Sequence, residues 1–178
     1  MYPRRYYEME ESEDSDASEI DSHWSDDSSE VKSRYHDFIS HELEILDRIL
    51  SEMILDVENG PENTIISELR RCFESIDDIM IYANQFLNQA QAVEMKHFVG
   101  FNSLHEDVRL SMTKTLTIIN KLRKRNLFQL TPLVKDLTLD LNEIKFLVSR
   151  TTLGQVKDIL ERYRFKRSYI RRKIENFT

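Results

Sequence analysis

The chain has few of the residues that let a backbone turn tightly. Its 178 residues include three glycines and three prolines. A fold wrapped around a ligand uses glycine wherever the backbone must pass close or take a positive φ. No glycine loop of the phosphate-cradling kind is present. Long helices with few connections are favoured instead. Cys72 is the single cysteine, which excludes an internal disulfide framework and suits a reducing compartment. No run of about 18 apolar residues exists to span a bilayer. The opening Met1-Tyr2-Pro3-Arg4-Arg5-Tyr6-Tyr7 has no apolar stretch after its arginines, so no signal peptide is expected. Together these shortages predict a cytoplasmic protein, with the nucleus left open.

Reactive constellations are missing too. The histidines are His23, His36, His41, His97 and His105. None pairs with Cys72 or with acids at metal-ligand spacing. His36 and His41 share a helical stretch but sit five apart, a poor angle for joint ligation. Glu94-Met95-Lys96-His97 is a single copy of a motif that a carboxylate metal bundle needs repeated on facing helices. No Ser-His-Asp order stands out. The expectation is a non-enzymatic chain with no catalytic residue, no metal and no cofactor.

The net charge of −7 hides a division. Residues 8–30 hold eleven Asp or Glu and no Lys or Arg, which leaves 25 basic against 21 acidic residues elsewhere, a balance of +4. Within 8–30 only Met9, Ala17, Ile20 and Trp24 are apolar, too few to offset a chain entropy of about 1–2 kcal/mol per residue. Residues 1–32 are therefore expected to be a disordered, acidic, Ser-rich tail, with a helical domain over 33–178. Ser12, Ser15 and Ser18 lie three apart with Asp21 three beyond, and Ser22, Ser25 and Ser28 repeat the interval. An acidophilic kinase reads an acidic group three residues after its serine, so each phosphate could license the serine upstream. The pattern resembles substrates of casein-kinase-type enzymes. Each phosphate would add about −1.5 to −2 charge. Trp24 is a candidate docking anchor.

Beyond the tail, apolar residues recur at helical spacing. Tyr35, Phe38, Ile39, Ile45, Leu46, Ile49, Leu50, Met53, Ile54 and Val57 make one wide stripe. Ser33 is its candidate N-cap, and Asn59-Gly60-Pro61 stops it, with glycine suited to a left-handed cap. Ile66, Leu69, Phe73, Ile76, Met80, Ala83, Leu87 and Ala90 then alternate steps of three and four without a break. Four heptads of this kind form a continuous seam that demands a covering helix. Ile65, Ile79 and Ile81 widen it, so a multi-helix bundle competes with a two-stranded coil. Ser103-Leu104-His105-Glu106 matches a capping box ahead of Val108, Met112, Thr115, Ile119 and Leu122, with the basic cluster Lys121–Arg125 at that helix's end. Thr131-Pro132 opens a fourth helix, Thr as N-cap, carrying Val134, Leu137, Leu141, Ile144 and Val148. The phase slips at Thr151-Thr152-Leu153-Gly154, a kink or a break into a fifth helix with Val156, Ile159, Leu160, Tyr163, Ile170 and Ile174. No strand is expected. The predicted fold is all-α, an elongated antiparallel bundle or coiled coil of four to five helices.

Residues 157–173 contain eight Lys or Arg against Asp158 and Glu161. Arg162, Arg164, Lys166, Arg167, Arg171, Arg172 and Lys173 form a basic C-terminal face with Tyr163, Phe165 and Tyr169 interleaved. Such a helix can lie on phosphates or anionic lipid, can be an ordinary solvated face, or can meet an acidic partner or the chain's own acidic tail.

The stretch Leu141-Asn142-Glu143-Ile144-Lys145-Phe146-Leu147-Val148, followed by Val156 and Ile159, resembles the C-terminal helix of small coiled-coil subunits of BLOC-1/BORC-type lysosomal trafficking complexes, of the cappuccino type. The match covers about twenty-five residues, and the glycine falls later than in that pattern, at Gly154. The resemblance implies a hetero-oligomeric role in lysosome-related organelle biogenesis or vesicle trafficking, peripheral to endosomal or lysosomal membranes. The expected function is thus a structural or adaptor subunit whose partners are other helical subunits, joined through the seam from Ile66 to Ala90. The alternatives are a rod-like subunit of a kinetochore or other nuclear assembly, and a bundle that binds nucleic acid or anionic lipid through its basic end.

Overall fold

The structure, a computed structural model, describes the backbone of residues 18–95, 101–149 and 152–177, and side chains among them from residue 29 onward. It is all-α. Helices α1 (Ser18–Asn59), α2 (Glu62–Ala92), α3 (Asn102–Lys124), α4 (Thr131–Val148) and α5 (Leu153–Glu175) follow one another, with a short 3₁₀ turn Phe128–Leu130 ahead of α4. No strand occurs among the described residues.

Two hairpins build the bundle. α1 and α2 run antiparallel through the Gly60 turn, and α3 and α4 run antiparallel through the 3₁₀ turn. α1 lies beside α3 and α2 beside α4. Cross-links fix their directions. Lys114 reaches Asp47, and Lys121 reaches Glu58 further along, so α1 and α3 are parallel. α5 then lies against both α2 and α4. At 1.5 Å per residue, the 42 residues of α1 span roughly 63 Å, so the molecule is long for its mass.

The core follows the heptad stripes. Tyr35, Ile39, Leu46, Leu50, Met53 and Val57 of α1 are buried against Ile65, Leu69, Ile76, Ile79 and Phe86 of α2. Val134, Leu137, Leu141 and Ile144 of α4 complete it with Val108, Ile118 and Leu122 of α3. Each such side chain contributes about 1.5–3 kcal/mol when fully buried. One end carries an aromatic cluster: Tyr35 stacks on Phe86 with centroids 4.0 Å apart, and Phe38 on Tyr82 at 4.1 Å.

Helix ends depart from the sequence-based expectations. α1 begins at Ser18, within the acidic segment, so Ser33 is an interior residue and not its N-cap. Val31 is already buried, which puts the edge of the packed unit just before residue 33. Residues 1–17 of the expected tail lie outside the described residues, as do residues 96–100 between α2 and α3. Ser103 makes no cap either: Phe101 holds the N-cap position without a side-chain bond, and the Glu106 carboxylate is taken by Arg109. Thr131 is the first helical residue of α4, one place too late to cap it, though Pro132 sits in the first turn as expected. The phase slip at Thr151–Gly154 is a true break. There Thr152 and Gln155 form a reciprocal capping box that starts α5.

Gly60 is not left-handed, since no described glycine has positive φ. Its need is space: a Cβ there would meet the Asp56 carbonyl oxygen at 2.7 Å. The left-handed positions are Glu94 (φ 54°) and Asn126 (φ 59°). Each closes a Schellman motif. The Met95 N–H donates to Ala90 O at 2.8 Å, and the Leu127 N–H to Leu122 O at 2.9 Å.

Candidate interaction surface

The eight seam residues, Ile66, Leu69, Phe73, Ile76, Met80, Ala83, Leu87 and Ala90, are all buried within the bundle. The helix demanded by their spacing is supplied by the chain itself: α1 on one flank, α4 and α5 on the other. This corrects the expectation that the seam is the main contact with another subunit. A heptad stripe specifies that it will be covered, and here the loops are short enough for α1, α4 and α5 to cover it first.

α5 is held differently. Asp77 of α2 is a hub: the Tyr163 O–H donates to Oδ1, while Arg167 Nε and Arg171 Nη2 each donate to Oδ2 at 3.0 Å. Along α4, Glu143 takes Arg162 at 2.9 Å, Asp140 takes Lys166 at 2.9 Å, and Asp136 takes Lys173 at 3.3 Å. Five of the seven cations of the expected basic face are therefore ion-paired inside the molecule. Arg164 and Arg172 form no ion pair among the described residues. The acids that take these cations belong to α2 and α4, and not to the acidic tail or a partner. That neutralisation removes most of the charge a phosphate backbone would need.

Three acids, Glu42, Glu68 and Asp140, are buried, and the sequence marks none of them. Asp140 has no exposed surface. Lys166 sits near enough to pair in charge but off hydrogen-bond geometry, and both Asp140 oxygens lack a hydrogen-bond partner. Burial pushes its carboxyl up to about 6, against the opposing pull of Lys166. Glu68, 5% exposed, is pushed up to about 8, first by burial and then by a hydrogen bond with Asp56 and the charges of Asp56 and Glu52. Its surroundings thus favour the protonated carboxyl over the carboxylate. Burial also raises the Cys72 and Tyr163 groups above their ordinary values, which makes Cys72 an inert core thiol. Asp140 falls among the apolar α4 positions Leu137, Leu141 and Ile144, where nothing in the period marks it as acidic core. The Thr152-x-x-Gln155 spacing was the one legible signal passed over.

The α2–α5 boundary leaves a shallow groove of about 260 Å³ floored by Phe73, Tyr163, Ile170 and Ile174, with Asp77 and Arg167 already bonded to each other across it. His36 packs edge-on against Phe101 and pairs with Asp37. Among the described residues no group of three or more His, Cys, Asp or Glu could hold a metal ion, and no helix is long and apolar enough to cross a membrane. Ser12 and Ser15 lie outside the described residues. Ser18, Ser22, Ser25 and Ser28 fall on the first turns of α1.

What the surface does present is apolar bulk. Leu139 (55% exposed) and Phe146 (55%) on α4, and Phe165 (82%) and Tyr169 (48%) on α5, all reach solvent. At 100° per residue, Leu139 and Phe146 lie one step outward from the α4 acids that face α5. Phe165 and Tyr169 lie outward from the α5 cations that face α4. The row of ion pairs is thus bordered on both sides by large apolar side chains, with Lys135 and Arg172 exposed beside them. Comparison with family models, with curated proteins and with solved structures finds no match.

Proposed function

We propose that the chain is a non-catalytic adaptor subunit of a hetero-oligomeric helical assembly, and that its contact with the partner is the outer ridge of α4 and α5 and not the heptad seam. The observation that carries this reading is the exposure of Leu139 and Phe146 on α4 and of Phe165 and Tyr169 on α5. Large exposed apolar side chains on two adjacent helices suit recognition by another amphipathic helix. The partner that fits is an amphipathic helix with an apolar face and mixed charge at its flanks, because Lys135 and Arg172 and also Asp158 and Glu161 are exposed on these helices. A trafficking setting rests only on the likeness of residues 141–148 to cappuccino-type subunits. In that stretch Leu141, Ile144, Leu147 and Val148 are core residues, and Phe146 is the side chain that faces out.

The test is an affinity pull-down with mass spectrometry, comparing the wild-type chain with a Phe146→Asp, Phe165→Asp double variant. Both positions are exposed, so the helical circular dichroism signal should be unchanged. The expected result is selective loss of a defined set of helical proteins from the variant sample. An identical protein set from both samples overturns the reading.

A further inference from the structure

The acidic segment has a basic counterpart. Residues 108–135 hold seven Lys or Arg and no Asp or Glu, in a chain with 32 acids. It is the longest acid-free run in the sequence. The run covers most of α3, the 3₁₀ turn and the first turn of α4, so it ends at the pole of the bundle where both hairpins turn. Neighbouring acids neutralise its first part. Arg109 pairs with Glu106, Lys114 with Asp47 and Lys121 with Glu58. Toward the turn the partners run out. Arg123, Lys124 and Lys135 are exposed and form no ion pair among the described residues. Arg125 donates to the Val57 and Gly60 carbonyl oxygens and not to an acid.

The charge left at this pole is positive. On the facing turn, Glu58 is held by Lys121, and Glu62 accepts from Gln129 at 2.7 Å. The negative end of the α3 dipole adds about half a charge. The four cations within Lys121–Arg125 outweigh these. The acids of the other pole do not cancel this field. Residues 19–30 hold five Asp or Glu and no Lys or Arg, and they form the first turns of α1. From Glu30 to Asn59 the helix rises roughly 44 Å, several times the Debye length of about 8 Å. Apolar bulk joins the cations at the basic pole. Phe128, on the 3₁₀ turn, is 57% exposed, and Leu55, three residues before Glu58 on α1, is 70% exposed.

A rod with one basic and one acidic pole orients itself in the field of an anionic surface. A bilayer supplies both complements of the basic pole: anionic headgroups for the cations, and the acyl boundary for the apolar side chains. A nucleic acid matches the cations and leaves Leu55 in water. We infer that the pole formed by the α1–α2 and α3–α4 turns docks end-on against an anionic bilayer, with Arg123 and Lys124 on the headgroups and Phe128 inserted among them. The contact uses neither Phe146 nor Phe165, so it stands or falls apart from the α4–α5 ridge.

The test is flotation of the full chain with phosphatidylcholine vesicles, with and without phosphatidylserine. The expected result is binding only where phosphatidylserine is present, weakened by salt. Arg123→Glu with Lys124→Glu should weaken it about thirtyfold or more. Phe128→Ala should weaken it about tenfold. Both variants should keep the helical circular dichroism signal. Lys157→Glu with Arg164→Glu imposes the same change of charge on exposed cations of α5 and should bind as the wild type does. A wild-type chain that binds neither kind of vesicle overturns the proposal. So does full binding by the Arg123 or the Phe128 variant, or an equal loss in the α5 control. Capture of a nucleic-acid duplex in place of vesicles, lost in the Arg123 variant, overturns it in favour of nucleic acid.

Discussion

The seam of α2 and the seating of α5 are both helix packing, yet they are made of opposite materials. The seam is dry: Leu69, Ile76 and Ala83 have no exposed surface, and their contacts are non-directional and insensitive to salt. The α5 contact is laced with charge, with Asp77, Asp140, Asp136 and Glu143 receiving five cations. The first kind of contact supplies stability. The second supplies position, because a misregistered α5 would strand acids that are already largely out of water. α5 also buries Val156, Ile159, Tyr163, Ile170 and Ile174, so its seating joins apolar burial to a row of ion pairs that the seam lacks.

Several changes would break or sharpen that contrast. The largest effect belongs to the seam. Leu69→Asp puts an unpaired carboxylate into apolar surroundings and should cost about 4 kcal/mol or more. We expect loss of the cooperative thermal transition by circular dichroism. Asp77→Ala should act on α5 alone: it frees Arg167, Arg171 and the Tyr163 hydroxyl at once. The cost should be about 1–3 kcal/mol, discounted because both arginines are partly exposed. Hydrogen exchange should then speed up across Leu153–Glu175 while α1–α4 keep their protection. Equal loss of protection in all helices would contradict the division.

pH separates the same two regions more gently. Glu68 and Asp140 have folded-state values raised to about 8 and about 6. The folded chain therefore holds protons that the unfolded chain releases, and stability must fall as pH rises. The Asp140 contribution is lost as pH climbs toward about 6 and the Glu68 contribution as it climbs toward about 8. Melting temperatures should be lower near about pH 9 than near about pH 5, and Glu68→Gln should flatten the upper part of that decline. A melting temperature that rises across this range would refute the assignment. The smallest effect is a gain. Asn126→Gly relieves a left-handed residue of its Cβ at the end of α3 and should stabilise by a few tenths to about 1 kcal/mol, read as a small upward shift in denaturant midpoint.

Periodicity made most of the burial legible. The stripes of Tyr35–Val57, Ile66–Ala90 and Val134–Val148 all fall in the core, and the slip at Thr151–Gly154 marks a real boundary. What periodicity could not carry was which surface covers a stripe. A row of a and d positions specifies an apolar neighbour and says nothing about whose it is, so the Ile66–Ala90 seam was assigned outward when the chain covers it. Caps failed for a related reason. Ser33 and Ser103 have the right chemistry, but a cap exists only where the helix actually begins, and these helices begin at Ser18 and Asn102. The basic C-terminal face was legible as charge. Its neutralisation was not, because Asp77 is about 90 positions away from Arg167 along the chain and no local pattern links them.

Arg125 ties the turn between α1 and α2 to the end of α3. Its Nη1 donates to Val57 O at 3.1 Å and to Gly60 O at 2.8 Å, closing off carbonyls at the end of α1, whose last turn has no basic residue of its own. The first hairpin is thus finished by a residue made more than sixty positions later. Until the end of α3 is synthesised, a nascent chain lacks this donor for the Val57 and Gly60 carbonyls.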